Sequence, residues 1–243
     1  MKIHLHEKPQ NVKLVLGFPG FGLVGTIATK FLIEHLDVKK IGEIESSKLL
    51  PLAAIHKNKL IGPLDLFYNK KYNLVIMQAL SELAGSEWKM TEIVEELART
   101  LNVKEIIILE GLPSDNTKDN AKGNLKTYFY SSNNAKAGDK LGLPMLQEGV
   151  MMGVTATVML RLEDTPISVI LAESPSKFPD SEAAARTIQA LDKYWNMDID
   201  YKPLMKAAKN FEVMLKELME KVKTQQATSP AVQGRNPDLE YIG

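Results

Sequence analysis

The stretch Gly17-Phe18-Pro19-Gly20-Phe21-Gly22-Leu23-Val24-Gly25 constrains this chain more than any other. Four glycines and a proline in nine residues are costly in chain entropy unless the backbone needs unusual dihedrals or a close approach. An apolar strand candidate, Val12 to Leu16, leads into the stretch. A helix candidate runs from it to about Leu36, with Val24, Ile27, Ala28 and Phe31 on one stripe. A turn placed in this way can cradle a ligand, bend the chain tightly onto itself, or face a partner.

The remaining periodicity predicts an α/β fold. Lys39 to Glu45, Leu49 to Ile55 and Leu64 to Tyr68 are short runs between turn residues, which predicts strands and hairpins. Leu74 to Met77 is an apolar strand. Ser86 is the predicted N-cap of a helix with Met90, Ile93, Val94, Leu97 and Leu101 on one face. The β-branched run Ile106 to Leu109 suits a strand buried on both faces, and the strand–helix–strand order is a βαβ unit. A polar loop is expected over Leu112 to Asn124, a short strand over Thr127 to Tyr130, and a helix over Gly149 to Leu162. In that helix Gly149 and Gly153 would allow close packing. Ile167 to Ala172 reads as a strand, followed by a helix capped by Asp180 or Ser181. The expected architecture is a mixed, largely parallel sheet flanked by helices, forming one unit over residues 1–223.

The last helix is predicted over residues 203–223. Leu204, Phe211, Leu215 and Leu218 belong to an apolar seam of nearly heptad spacing, which suits either its own core or an oligomer interface. Residues 224–243 are polar, with Ser229-Pro230, Gly234 and Pro237, and read as a flexible tail. Its tip carries Leu239, Tyr241 and Ile242, candidates for binding a partner.

Composition removes several classes. Among 243 residues there are 30 Lys plus Arg and 30 Asp plus Glu, so the basic surplus of a nucleic-acid binder is missing. No cysteine is present, which excludes disulfides, thiolate metal sites and a Cys nucleophile. No signal-peptide pattern or run of 18 apolar residues occurs, so a cytoplasmic protein without a membrane span is expected. His4 and His6 share a face of an extended segment. A metal pair there competes with a solvent-facing edge strand, and no metal or cofactor is expected.

Gly20 to Gly25 matches G-x-G-x-x-G, with Glu43 and Glu45 about 20 residues on, where a ribose-binding acid would lie. Against a nucleotide site, Gly17-Phe18-Pro19 separates the strand from the match, and further strands follow. In a ligand-binding or enzymatic reading, Gly17, Gly20, Gly22 and Gly25 would form the cradle. Glu110 and Glu173, at strand ends, would act as acid and base. No H-E-x-x-H or G-x-S-x-G is present, and the balance is against an enzyme.

An ordered set of motifs adds a resemblance. Gly17-Phe18-Pro19-Gly20 through Val24-Gly25, Glu110-Gly111, Gly149-Val150-Met151-Met152-Gly153-Val154, Leu171-Ala172-Glu173-Ser174-Pro175 and Pro179-Asp180 together resemble the PAC2 family, and its archaeal branch most of all. The family includes proteasome assembly chaperones. The resemblance implies a phosphorylase/hydrolase-like α/β domain with no established catalytic site. It further implies self-association and binding to proteasome α-subunits or the α-ring. Related proteins carry a C-terminal hydrophobic–Tyr–any-residue motif. Here Tyr241 is third from the end and follows Glu240.

Overall fold

The computed structural model describes residues 1–47, 49, 53–56, 58–80, 83–114, 125–134, 136–175, 177–204 and 206. The strands among these are β1 (Lys2–Leu5), β2 (Lys13–Gly17), β3 (Lys39–Glu45), β4 (Ala54–His56), β5 (Lys59–Ile61), β6 (Leu64–Asn69), β7 (Leu74–Ala79), β8 (Glu105–Pro113), β9 (Thr127–Ser131) and β10 (Ile167–Ser174). The helices are α1 (Val24–His35), α2 (Glu87–Thr100), α3 (Lys136–Leu141), α4 (Gly153–Arg161) and α5 (Ser181–Trp195), with a 3-10 turn at Phe21–Leu23 before α1.

Eight of these strands form one mixed sheet in the order β1-β3-β6-β7-β2-β8-β10-β9. Its centre, β7-β2-β8-β10, is parallel. Both margins are antiparallel, β1-β3-β6 against β7 on one side and β9 against β10 on the other. The pattern follows from the sequence. The central strands are apolar on both faces, with Leu14, Val15, Leu16, Ile106, Ile107, Ile108 and Leu109 all fully buried. β4 and β5 form a separate hairpin turning at Asn58, whose φ is 60°.

Helices cover both faces. Met90, Val94 and Leu97 of α2 and Val154 and Val158 of α4 pack with Leu14, Leu16, Val75, Ile106 and Ile108. On the opposite face, Val24, Ala28 and Phe31 of α1, Ala137 and Leu141 of α3, and Ala184, Ile188 and Leu191 of α5 pack with Val15, Ile76, Ile107 and Ile170. The hydroxyls of Thr91 and Thr157 join α2 to α4 across a buried 2.7 Å hydrogen bond.

Four expectations change. β8 continues to Pro113, because it stays paired with β10 as far as Ser174, so the predicted loop begins later than Leu112. α4 starts at Gly153 rather than Gly149. Among the described residues, chain neighbours aside, no atom lies within 4 Å of where a Gly153 side chain would begin and Gly149 meets only Leu146, so the pair does not mediate close packing. Ser86 occupies the N-cap position of α2 without a side-chain capping bond, whereas Asp180 caps α5 by accepting from the Ala183 amide at 2.8 Å. The βαβ unit β7-α2-β8 is present, but β2 lies between its two strands.

Candidate functional site

The glycine stretch closes the carboxyl end of β2, and each glycine there answers to a contact. A side chain on Gly17 would meet the Gly25 carbonyl oxygen at 2.2 Å, and one on Gly25 would meet the Leu109 carbonyl oxygen at 2.4 Å. Helix α1 therefore starts with its backbone against β2 and β8, an approach that no larger residue permits. Gly111 completes the contact, since a side chain there would lie 2.0 Å from the Phe21 carbonyl oxygen. Gly22 (φ 63°) and Leu23 (φ 49°) are both left-handed, which turns the chain sharply into α1. For Leu23 this conformation costs about 1–3 kcal/mol, which the surrounding packing must offset.

The same bend is tied to β10 and α5. The Asp180 amide donates to the Gly22 carbonyl at 2.8 Å, and the Ser174 hydroxyl donates to the Asp180 carboxylate at 2.7 Å. Gly22 leaves room for that hydroxyl, which would lie 2.7 Å from a side chain at this position. Asp180 thus caps a helix and fastens the glycine bend with one carboxylate.

Above the carboxyl ends of β2, β7 and β8 lies a cavity of about 340 Å³. Its walls include Phe18, Pro19, Gly20 and Phe21 from the bend, Leu83 and Glu87 before and within α2, Glu110 to Pro113 of β8, and Val150 to Thr155 leading into α4. β2 sends its helix to one face of the sheet and β7 sends its helix to the other. The cavity therefore sits at a topological switch point, the place where open α/β sheets bind ligands.

Glu110 supplies the cavity's polar floor. The Thr155 hydroxyl donates to its carboxylate at 2.7 Å. The other carboxylate oxygen lies under Gly20, 2.2 Å from where a side chain there would begin. Burial pushes the Glu110 carboxyl up to about 7, against the opposing pull of hydrogen bonds from Thr155 and the Gly111 amide. No Lys, Arg or His lines the cavity among the described residues.

Several sequence expectations are corrected here. Of Gly17, Gly20, Gly22 and Gly25, only Gly20 lines the cavity, and the other three serve packing. The seat beneath Gly20 is filled by a carboxylate, which opposes a phosphate in that place. β3, which carries Glu43 and Glu45, is separated from β2 by β6 and β7 and runs antiparallel to its neighbours. Glu43 pairs with Lys40 and His6, and Glu45 with His4, so neither lies where a ribose-binding acid would.

Glu173 does not join Glu110 as a partner acid. It accepts from the Lys126 amide at 2.8 Å and the Tyr128 hydroxyl at 3.0 Å, on the β9 side of the sheet, and is absent from the cavity wall. Gln78 shares a face with Ile76, on the α1 side. It is buried, and its side-chain oxygen has no hydrogen-bond partner among the described residues. His4 and His6 lie on or just beyond edge strand β1 and face acids of β3 at 3.1 and 3.6 Å. Leu204 is buried against the α1–α5 face of this chain's own core. Phe211, Leu215, Leu218, Leu239, Tyr241 and Ile242 lie outside the described residues.

Sequence reasoning missed Thr155, Val150 and Met152 as cavity residues. The run Gly149 to Val154 marked the region, but only the fold shows that α4 begins over Glu110.

Comparison with known proteins agrees with this fold. A family model described as the PAC2 family matches residues 14–219. An uncharacterized protein of Methanocaldococcus jannaschii is 27% identical over 218 residues, covering 87% of each chain. The crystal structure of Pyrococcus furiosus PbaA, an archaeal homolog of proteasome-assembly chaperone, superposes with a TM-score of 0.81 at 24% identity, covering 93% of this chain and 95% of that one. P. furiosus PbaB, an archaeal proteasome activator, gives a TM-score of 0.76 at 20% identity, with coverage of 90% and 98%. The family match runs over most of the sequence, and the chain belongs to the PAC2 family.

Proposed function

We propose that this protein is a non-enzymatic assembly factor of the proteasome-assembly-chaperone type, which self-associates and binds proteasome α-subunits or the α-ring. The family match over residues 14–219 carries this reading. Fold likeness to an archaeal homolog of proteasome-assembly chaperone and to an archaeal proteasome activator supports it. The cavity adds support from chemistry. A buried carboxyl bonded to a threonine hydroxyl, with no histidine or cation beside it among the described residues, suits binding better than proton transfer coupled to nucleophilic attack. No helix among the described residues is long and apolar enough to cross a membrane, and the reading assigns the protein to the cytoplasm.

In this reading the segment after Leu204 provides the contact between copies. Because Leu204 is already buried in its own core, that contact rests on Phe211, Leu215 and Leu218. Leu239, Tyr241 and Ile242 form a tethered ligand, and several copies in one oligomer raise its effective concentration at the α-ring. The test is a pull-down with free α-subunits and assembled α-rings, using the full chain and a chain lacking residues 225–243. Full-length protein should retain both. The shortened protein should keep its folding and oligomer size but lose α-ring binding. Unchanged capture by the shortened chain sinks the tail's role, and no capture by either sinks the proteasome reading.

A further inference from the structure

We propose that the cavity above Glu110 binds a small apolar molecule carrying one primary amine, its ammonium group seated on the Glu110 carboxylate. Shape comes first. A volume of about 340 Å³ at the junction of β2, β7 and β8 falls at the small end of the range for small-molecule pockets, about 300–1,000 Å³. The walls offer Phe18, Phe21, Leu83, Val150, Met151 and Met152 to an apolar body.

Charge selects the head group. Glu110 receives dipolar donors from the Thr155 hydroxyl and the Gly111 amide, but no cation among the described residues pairs with it. Glu87 is the other ionisable residue in the wall and is also acidic. A buried carboxylate without a counter-charge is costly, and burial already raises its pKa to about 7. A cation arriving on an apolar stem would supply the missing charge in a low-dielectric site. An anionic or purely apolar ligand would leave Glu110 as it is. This inference is independent of the proteasome reading, since it concerns only the cavity.

The experiment is calorimetric titration of the full chain at pH 8 with phenethylamine, 2-phenylethanol and 3-phenylpropionate, followed by spectra of protein carrying carbon-13 methyl methionine. Phenethylamine should bind saturably and shift the Met151 and Met152 methyl signals, while the alcohol and the carboxylate bind at least about tenfold more weakly. Glu110→Gln should remove the preference for the amine. Should that variant fail to fold, the three-ligand comparison on the unaltered protein decides alone. Equal binding of amine and alcohol overturns the proposal, as does saturable amine binding that leaves both methionine signals in place. Absence of saturable amine binding overturns it too.

Discussion

Glu110→Gln isolates the charge on the cavity floor without changing its shape. The amide keeps an oxygen to accept from Thr155 and has no charge to desolvate. The folded-state pKa of about 7 lies above the ordinary 4.5, so between these values the folded chain holds a proton that the unfolded chain has released. Stability must therefore fall as pH rises through that window, and the loss is complete above the folded pKa. At ~1.36 kcal/mol per pH unit, the full loss is about 3 kcal/mol, of which about 2.5 kcal/mol falls between pH 5 and pH 8. The Glu110→Gln variant escapes it. Urea titrations at both pH values should show the variant gaining about 2.5 kcal/mol on the parent over that interval. Thermal melts should show the gain as about 5–10 °C, at about 2–4 °C per kcal/mol for a chain of this size. Other titrating groups are common to both proteins and cancel in the difference. A gap that stays constant from pH 5 to pH 8, or a variant that loses ground at pH 8, would refute the assignment of Glu110 as a carboxyl whose pKa burial raises.

The glycine bend and its clasp give two further tests. Gly17→Ala, Gly25→Ala and Gly111→Ala each push a methyl into a backbone carbonyl at 2.0–2.4 Å, and unfolding free energies from urea titration should fall by ~1–3 kcal/mol or more, whereas Gly20→Ala meets a side-chain carboxylate and should chiefly narrow the cavity. Asp180→Ala removes the α5 cap and the acceptor for Ser174, so unfolding free energy should drop by about 1–3 kcal/mol, with Asp180→Asn recovering most of it. An unfolding free energy for Asp180→Ala equal to that of the parent would show that the clasp contributes little.

How much of this was legible beforehand depended on the range of the interaction. Val12 to Leu16, Ile106 to Leu109 and the α2 stripe are local patterns, and periodicity alone located them on the right elements. Strand order is not local: nothing in the spacing of β2 and β3 says that β6 and β7 insert between them. That insertion is what dissolves the dinucleotide reading, because it removes Glu43 and Glu45 from the bend. The end of β8 was misplaced for the same reason. Leu112 and Pro113 look like loop residues by composition, yet pairing with Glu173 and Ser174 of β10 holds them extended.

The glycines were legible as a demand for space, but not as to what fills it. At Gly17 and Gly25 the occupant is backbone, at Gly22 a serine hydroxyl, at Gly20 a carboxylate from a strand about ninety residues away. Only the last of these opens onto a cavity. The nucleotide alternative fails in sign as well as in place, since the space that Gly20 leaves for an anion is taken by a carboxyl supplied by the protein itself. What the bend leaves open beside Gly20 is the cavity above Glu110. A motif of glycines after a strand thus fixes the closeness of an approach, while the side chain that rises from the neighbouring strand fixes the chemistry.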